Sequence, residues 1–552
     1  MNTIQPIARA PFADDLPSQP AAPRGWHGPA ESIAFDGAGM RAVLRALDLP
    51  VYAVQTADGR TGLTNQGQEA AGGNGGLVLL ASAPALPSSR LGDPGFKRDY
   101  GLRYALYGGA MANAIASVEM VAELGNGGML GSFGAAGLSP ARLEDAIVRV
   151  QDALPDGPYA FNLIHNPYDP AMEQQAVSLY LRYGVTLIEA SAFLDLTPSL
   201  VRYRLAGLHQ NPDGDVIIGN RIIAKLSRKE VATRFLQPAP ADMVQQLVAE
   251  GRITPLQAQL AQRVPLADDI TVEADSGGHT DNRPLTGLVP SMIALRDEMQ
   301  ARHGFAAPVR VGAAGGISTP ASALAALMMG AAYVVTGSVN QACVEAGASE
   351  HTRALLARAS MADVTMAPSA DMFEMGVRVQ VLKLGSMFAL RAARLYELYT
   401  RYNAIEDIPT AEREHLEKQV FQRSLDSVWE ETRAFFTQRD PSQLVRAEKD
   451  AHHKMALVFR WYLGLSSRWS NSGEKGRELD YQIWCGPSMG SFNDWARGTY
   501  LADPANRRVL DVNRHILDGC AYQYRTQALK MSGVHLPPAL EFYRPEKPVL
   551  IA

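Results

Sequence analysis

The sequence predicts an α/β protein whose central part folds as a TIM-type (β/α)8 barrel. From Tyr104 onward, short β-branched runs alternate with amphipathic helical runs, a rhythm typical of parallel βα units rather than hairpins. Several helical runs begin with Ser or Thr followed by Pro, which is the chemistry of a helix N-cap and first turn. Roughly eight such units fit between residues 101 and 349, so a closed barrel is favoured and a doubly wound sheet is the main alternative.

The strands of this barrel are predicted from their apolar, β-branched character. They are Tyr104–Tyr107, Gly128–Phe133, Tyr159–Ile164, Val185–Ser191, Arg221–Leu226, Ile270–Ala274, Val309–Val311 and Tyr333–Thr336. Helices are expected between them at Ser139–Leu154, Ala171–Tyr183, Pro198–Leu208, Pro290–His303 and Pro320–Met329. A helical insertion at about 228–268, after strand five, contains the patterns Ala241–Glu250 and Thr254–Arg263. It is either a lid over a site or a peripheral decoration.

Two further regions flank the predicted barrel. Residues 1–100 are expected to hold a Pro-rich tail and a small N-terminal lobe, with a helix at Gly39–Leu47, β-like runs at Val51–Thr56 and Gly76–Ala81, and a Gly-rich turn at 72–76. Residues 350–552 are expected to be mostly helical, and they are rich in aromatic residues between 455 and 530. Such aromatic residues form either a core or a contact between protomers, or an exposed surface for a partner.

The composition excludes several classes of protein. A net charge of -5 over 552 residues provides no basic field for nucleic acid. The three cysteines, Cys343, Cys485 and Cys520, show no CxxC spacing, so we expect neither a disulfide framework nor a structural zinc site, and we expect a cytoplasmic location. No apolar run approaches the roughly 20 residues of a membrane span, and the N-terminus lacks the pattern of a signal peptide.

Glycines follow the last two predicted strands. Gly315 and Gly316 close strand seven, whereas Gly337 and Ser338 close strand eight. Because glycine lets backbone amides approach an anion, and a helix N-terminus adds partial positive charge, these residues predict a phosphate site. Turns that use glycine only for its conformational freedom are the alternative.

Polar groups at earlier strand ends suit a flat, polar cofactor. Asn162 and Lys225 are polar residues inside apolar runs, and the segment Tyr107-Gly-Gly-Ala-Met111 closes strand one. Buried polar groups need partners, which an isoalloxazine ring would provide. Neighbouring carboxylates such as Glu189 or Glu273 are the alternative partners.

A histidine closes strand six. His279 follows Ser276-Gly-Gly278, and imidazole both titrates near neutral pH and donates hydrogen bonds. The position predicts a catalytic or substrate-orienting role, with His165 at another strand end as a reserve candidate.

These segments resemble known families. The Gly-Gly-Ala-Met, Ser-Gly-Gly-His, Ala-Gly-Gly-Ile and Thr-Gly-Ser segments resemble the FMN-binding barrel of nitronate monooxygenases (2-nitropropane dioxygenase family) and of FMN-dependent enoyl-acyl-carrier-protein reductases. The chain more closely resembles the PfaD family, trans-acting enoyl reductases of polyketide and polyunsaturated fatty acid synthases. This resemblance covers nearly the whole chain and rests on Phe161-Asn-Leu-Ile-His-Asn-Pro167, Ile188-Glu-Ala-Ser-Ala-Phe193, Glu273-Ala-Asp-Ser-Gly-Gly-His-Thr-Asp-Asn-Arg-Pro284 and Trp484-Cys-Gly-Pro-Ser-Met-Gly-Ser-Phe-Asn493.

The resemblance implies FMN and NADPH (or NADH) as cofactors, an acyl carrier protein as the partner that brings the enoyl substrate, and a homodimer. It implies that His279 is the active-site histidine. The residues that it assigns to the flavin ring and ribityl chain are Gly109, Ala110, Met111, Asn162, Lys225, Glu273, Gly277 and Gly278, and those that it assigns to the phosphate are Gly315, Gly316, Gly337 and Ser338.

Other interpretations stay open. The simpler enzymes read Gly-Gly-Met where this chain has Gly-Gly-Ala-Met, which leaves open the backbone amide that faces the flavin. A nitronate monooxygenase-like oxidase would use the same flavin and histidine with oxygen as acceptor. A flavin-free scaffold of a synthase complex, docking through the aromatic C-terminal region, is the alternative from a different class.

Overall fold

The computed structural model describes residues 25–70, 77–166 and 170–549. The chain divides into two compact units, Met1–Leu86 with Tyr522–Phe542 and Pro87–Ala521 with Tyr543–Ala552. Most of the expected Pro-rich tail and the expected turn at 72–76 lie outside the described residues. Within the described ranges, no helix is both long and apolar enough to cross a membrane.

The first unit contains an antiparallel sheet with strand order β3-β2-β5-β1-β4. Its elements before residue 87 are β1 (Gly25–His27), α1 (Gly37–Arg45), β2 (Val51–Gln55), β3 (Thr61–Thr64), β4 (Gln68–Ala70) and β5 (Val78–Ala83). Asp36 begins α1 by accepting hydrogen bonds from the amides of Ala38 and Gly39. Trp26 and Val54 lie in its buried core. This unit combines part of the predicted N-terminal region with Tyr522–Phe542, which the sequence analysis placed in the C-terminal region.

The second unit begins with helix α2 and alternates strands with helices. The strands are β6 (Leu106–Gly108), β7 (Leu130–Phe133), β8 (Ala160–Ile164), β9 (Leu187–Ser191), β10 (Leu208–Gln210), β11 (Val216–Ile218), β12 (Arg221–Leu226), β13 (Asp269–Glu273), β14 (Gly278–His279), β15 (Arg310–Ala314), β16 (Val334–Thr336), β17 (Val364–Pro368) and β18 (Arg378–Leu382). The helices up to residue 358 are α2 (Pro94–Tyr100), α3 (Val118–Asn126), α4 (Pro140–Ala153), α5 (Pro170–Arg182), α6 (Pro198–Ala206), α7 (Lys229–Phe235), α8 (Ala241–Ala249), α9 (Pro255–Leu260), α10 (Leu285–His303), α11 (Pro320–Met328), α12 (Ser338–Gln341) and α13 (Glu350–Arg358).

The remaining helices are α14 (Phe388–Arg401), α15 (Thr410–Leu416), α16 (Leu425–Arg439), α17 (Pro441–Lys449), α18 (Ala451–Ser472), α19 (Ser488–Ala496), α20 (Val509–Met531) and α21 (Pro538–Glu541). We call α14–α18 the helical cap. Its buried core contains Phe388, Phe459 and Tyr462, so these aromatic side chains serve packing rather than an exposed surface.

The central sheet is a closed parallel barrel in the order β6-β7-β8-β9-β12-β13-β15-β16, and β16 pairs with β6 to close it. The predicted (β/α)8 barrel is confirmed, and closure excludes the doubly wound sheet. Ser139, Thr197 and Thr319 each cap the helix that follows, as their Ser-Pro and Thr-Pro pairs predict.

Several predicted boundaries were wrong for local reasons. The strand predicted from Gly128 begins at Leu130, because Gly128 adopts a left-handed φ of 75°. Strand seven does not end before Gly312 but continues through it. The Tyr333 ring packs on this position, and a Cβ atom added to Gly312 would lie 2.1 Å from the ring. Helix α10 begins before Pro290, which lies inside the helix rather than in its first turn.

Strands β10, β11, β17 and β18 were not predicted. β10 and β11 form a hairpin, and β17 and β18 form an antiparallel sheet with β14. Residues 350–552 are therefore mostly, but not wholly, helical.

Helix α2 closes the barrel at the N-terminal ends of its strands. Phe96 stacks on Tyr333 with ring centroids 4.0 Å apart, and the Tyr100 hydroxyl donates to the buried Asp269 carboxylate. Arg310 Nε lies 2.6 Å from Asp269 Oδ1 at the same end. Because this end is sealed, a ligand enters at the C-terminal ends of the strands.

Candidate active site

A cavity of about 550 Å³ lies at the C-terminal ends of the barrel strands and beneath the helical cap. Most of the predicted site residues line it, namely Ala110, Met111, Asn162, Lys225, Glu273, Gly277, Gly278 and His279. The insertion after β12 contributes no described residue to this wall. It packs instead beside α6, where Gln257 Nε2 donates to Ala206 O at 3.0 Å. The insertion is peripheral, and the helical cap covers the cavity.

A cluster of charged side chains forms one part of the wall. Lys225 Nζ lies 3.3 Å from Glu189 Oε1 and 3.3 Å from Glu273 Oε1. Burial by itself lowers the pKa of Lys225, but the two carboxylates raise it by more, so the ammonium stays charged. Asn162 Nδ2 donates to Glu189 O at 3.1 Å and to Ser191 Oγ at 3.0 Å. Lys225 thus pairs with both carboxylates and Asn162 does not, and both polar residues also line the cavity, so their role toward a flavin stays a prediction.

His279 faces a carboxylate from the C-terminal region. Its Nε2 lies 3.2 Å from Asp371 Oδ1, and both residues line the cavity. Burial lowers the pKa of His279, but the charge and hydrogen bond of Asp371 raise it by more, so it lies above its ordinary value. Burial raises the pKa of Asp371, but His279 and Ser369 lower it to about 2. The geometry thus favours an imidazolium beside a carboxylate, although nothing in the sequence near Asp371 indicated this partner.

Replacing Asp371 by Asn is expected to shift the descending limb of the pH–rate profile to lower pH. Without the carboxylate, burial dominates and the pKa of His279 falls, so less of it is protonated as pH rises. We expect turnover to fall about tenfold at about pH 8, with a smaller loss at about pH 6. Steady-state rates across this range check the shift. An unshifted profile with uniformly lower rates would show that Asp371 has only a structural role.

The backbone holds His279 through close approach to a distant segment. Gly278 and His279 form β14, which pairs with Gln380 and Val379 of β18. A Cβ atom on Gly277 would lie 2.7 Å from the Cys485 amide nitrogen. Only glycine therefore fits where the two segments meet.

Replacing Gly277 by Ala is expected to destabilise the protein by about 1–3 kcal/mol, because the added methyl group overlaps the Cys485 backbone. Gly464 of the helical cap is the matched control, since a Cβ atom there meets nothing within 4 Å. Gly464→Ala should be neutral or slightly stabilising. Thermal unfolding of the two variants checks the difference, and equal melting temperatures would contradict the proposed close approach.

Hydrogen bonds from its backbone amides hold the loop after β6 in place. The Gly109 amide donates to Thr336 O at 3.0 Å, and the Ala110 amide donates to Glu189 Oε2 at 2.9 Å. Both amides are thus engaged within the protein. The Met111 carbonyl lies so close to Gly134 that a Cβ atom added to Gly134 would be 1.7 Å from the carbonyl oxygen. This contact fixes Met111 in the cavity wall.

The predicted phosphate residues lie outside the wall of the 550 Å³ cavity. Gly315 and Gly316 have left-handed φ angles of 79° and 77°. A Cβ atom on Gly316 or Gly337 would meet no atom within 4 Å, so bare backbone borders open space there. Ser338 Oγ accepts a hydrogen bond from the Gly486 amide at 3.1 Å. A phosphate-binding role for these residues stays a prediction.

The helical cap contributes apolar side chains to the cavity, among charged ones, and this contribution was not predicted from the sequence. Helices α16 and α18 contribute Phe435, Phe436, Leu457, Trp461 and Leu463. These residues supply a surface for an apolar ligand next to the charged strand ends. The reserve candidate His165 lies outside this wall, with its Nδ1 3.0 Å from Glu173 Oε2.

Known families match the chain in three segments. The family described as "Nitronate monooxygenase" matches residues 100–407, and "Fatty acid synthase subunit PfaD N-terminal domain" matches residues 26–85. "[Acyl-carrier-protein] S-malonyltransferase, inserted helical domain" matches residues 402–481, which include most of the helical cap. The barrel and its covered site therefore define a member of the nitronate monooxygenase family.

Individual relatives narrow this assignment. A polyunsaturated fatty acid synthase protein of Thraustochytrium sp. is 47% identical over 536 residues, which cover 96% of this chain and 35% of the relative. Polyketide biosynthesis protein PksE of Bacillus subtilis is 46% identical over 433 residues, which cover 78% of this chain and 56% of the relative. Within the broader family, the chain belongs to the PfaD family.

A solved structure agrees with the fold. The enoyl reductase domain of MlnA, from the macrolactin biosynthesis cluster of Bacillus amyloliquefaciens, matches with a TM-score of 0.76 and 39% identity. The match covers 81% of this chain and 100% of that domain. In contrast, the chain spans only about a third of the Thraustochytrium protein and about half of PksE.

Proposed function

We propose that this chain is an FMN-dependent enoyl reductase that saturates the α,β double bond of a thioester carried by an acyl carrier protein, with NADPH or NADH as the electron source. The observation that carries the proposal is the His279–Asp371 pair in the wall of a cavity that joins charged strand ends to apolar side chains of the helical cap. The 39% identity to a domain described as an enoyl reductase supports it.

The residues at the strand ends fit FMN. Lys225 offers a hydrogen-bond donor and Asn162 Oδ1 an acceptor to the polar edge of a flavin, and Gly316 and Gly337 border open space that suits a phosphate. Bound there, FMN would supply the hydride-transfer chemistry that links the nicotinamide cofactor to the β-carbon of the substrate.

The chain's own residues handle the thioester and the proton. His279 either donates a hydrogen bond to the thioester carbonyl oxygen or gives a proton to the α-carbon. Asp371 stabilises the imidazolium in both cases. The apolar side chains of the helical cap hold the acyl chain and exclude water from the strand ends.

A single-turnover assay tests the proposal. A crotonyl group on an acyl carrier protein is incubated with the FMN-loaded chain and NADPH, and intact-protein mass spectrometry follows the acyl group. We expect its mass to increase by that of two hydrogens. An unchanged acyl group, with the flavin reduced, would overturn the proposed function.

A nitronate oxidase is the second candidate, because the family described as "Nitronate monooxygenase" matches the barrel. Anaerobic mixing with NADPH separates the two functions. A reductase is bleached rapidly by NADPH alone, whereas a nitronate oxidase needs its nitronate. The homodimer implied by the resemblance stays a prediction, which analytical ultracentrifugation would check.

A further inference from the structure

Helix α18 has a glycine in the part that lines the cavity. Gly464 lies well inside this helix, far from both of its ends, and it is exposed. A Cβ atom added to it would meet nothing within 4 Å apart from its chain neighbours and the backbone of its own helix. Glycine is less favourable than alanine in a helix interior, because it loses more backbone entropy on folding. Contacts within the chain therefore do not explain a glycine at this position.

Other glycines within helices are required by packing. A Cβ atom on Gly490 of α19 would lie 2.1 Å from the Met361 amide nitrogen. A Cβ atom on Gly519 of α20 would lie 2.4 Å from Pro320 Cγ. In contrast, the space in front of Gly464 is open and belongs to the cavity. A ligand in the cavity therefore gains the room that a side chain at position 464 would take.

Two hydrogen bonds show which way this face of α18 points. Arg460 Nε donates to Ala370 O at 2.9 Å, and Ala370 directly precedes the carboxylate that faces the imidazole. Asn113 Nδ2, in the loop after β6, donates to Ser467 Oγ at 2.8 Å. Gly464 follows Arg460 by four residues and precedes Ser467 by three, so the three share one helix face. Gly464 lies about 6 Å and about 4.5 Å from them along the helix axis. Its bare backbone therefore faces the strand ends between these two contacts.

Apolar side chains adjoin Gly464 on one side. Trp461 and Leu457 precede it by three and seven residues, so they lie on its face of α18, and both line the cavity. Phe435 of α16 lines the same cavity with 44% of its surface exposed. Arg468 follows Gly464 by four residues, and the apolar row ends there. A large apolar side chain exposed inside a cavity suits an apolar ligand.

We propose that Gly464 determines the length of the acyl chain that the cavity accepts, and that long acyl chains pass beneath its bare backbone. This inference rests on the proposed function, because it takes the acyl chain of the enoyl thioester as the occupant. The nicotinamide cofactor and the pantetheine arm are polar, whereas the wall beside Gly464 carries Trp461, Leu457 and Phe435. A larger side chain at position 464 would fill the passage and exclude long chains more than short ones.

Reduction of a short and a long enoyl group by the full FMN-loaded chain tests the inference. The measured quantity is the kcat/KM for a decenoyl group divided by that for a crotonyl group, both on an acyl carrier protein. Gly464→Leu is expected to lower this ratio about tenfold, because the leucine side chain occupies the passage. Gly464→Ala changes the helix backbone in the same way but adds little volume, so it should lower the ratio by less than about threefold.

Ala434→Leu is the matched control for added volume. Ala434 is an exposed residue of α16 in the helical cap, and it does not line the cavity. Its replacement should leave the ratio at the wild-type value. Melting temperatures should stay close to that of the wild type in all three variants, since the Gly464 side faces open space and Ala434 faces solvent.

Two results would overturn the inference. One is a ratio in Gly464→Leu that does not differ from that of Ala434→Leu, which would show that no acyl chain uses the space beneath Gly464. The other is an equal loss for the crotonyl and decenoyl groups. An equal loss assigns the space to the pantetheine arm or, where NADPH also reduces the flavin more slowly, to the nicotinamide.

Binding measurements separate this inference from the proposed function. Calorimetry compares butyryl-pantetheine with decanoyl-pantetheine, and Gly464→Leu is expected to raise the Kd for the decanoyl probe about tenfold relative to the butyryl probe. If the wild type does not reduce crotonyl groups, the enoyl reductase proposal fails, but a changed Kd ratio still supports an acyl passage beneath Gly464. Conversely, full crotonyl reduction with unchanged selectivity in Gly464→Leu leaves the reductase and removes the role of Gly464.

Discussion

The His279→Ala variant is expected to keep its flavin yet lose about 10²- to 10³-fold of its enoyl reduction. The imidazole lines the cavity and its charged form is stabilised by Asp371, so its removal takes away the proton or hydrogen bond supplied to the thioester. Cofactor binding should persist because Lys225, Asn162 and the strand-end glycines are unchanged. Single-turnover oxidation of the reduced flavin by a crotonyl thioester measures the loss, and the visible spectrum measures flavin content.

His165→Ala is the control for this variant. His165 also follows a barrel strand, but it pairs with Glu173, stacks on Phe193 and lies outside the cavity wall. We expect its turnover to stay within about threefold of the wild type. Wild-type rates in His279→Ala, or a larger loss in His165→Ala, would contradict the assignment of His279.

The barrel could be predicted because the sequence signals that mark its strands and helices are local. Each strand is a short β-branched run, and each helix start carries its own capping residue, so neither requires knowledge of distant contacts. The same holds for Lys225 and Asn162, which are conspicuous as polar residues inside apolar strands. Parallel strands then bring these positions to one end of the barrel.

The other half of the site could not be predicted, because it depends on long-range contacts. His279 and Asp371 are separated by 92 residues, and they meet only because β14 pairs with β18. The apolar side chains in the cavity wall likewise come from α16 and α18, whose aromatic residues the sequence alone assigns only to a core or to a partner surface. Periodicity shows that a helix has an apolar face, but not that two such helices cover a barrel.

The Lys225→Met variant is expected to lose about 3–5 kcal/mol of stability and most of its bound flavin. Glu189 is fully buried, and Lys225 is the cation that contacts it and Glu273. Without the ammonium, two carboxylates face each other in a poorly solvated wall, so one must take up a proton or the strand ends must separate. Urea unfolding and the flavin absorbance of the purified variant measure the two effects.

A second substitution distinguishes loss of charge balance from loss of packing. In Lys225→Met combined with Glu189→Gln, the buried negative charge is removed while the amide oxygen still accepts the hydrogen bond from Ala110. We expect this pair to regain at least about 1 kcal/mol relative to Lys225→Met alone. Lys229→Met, at an exposed position on α7, should change stability by no more than about 0.5 kcal/mol. If the double variant is less stable than Lys225→Met, the packing of the Lys225 side chain, rather than its charge, holds the strand ends together.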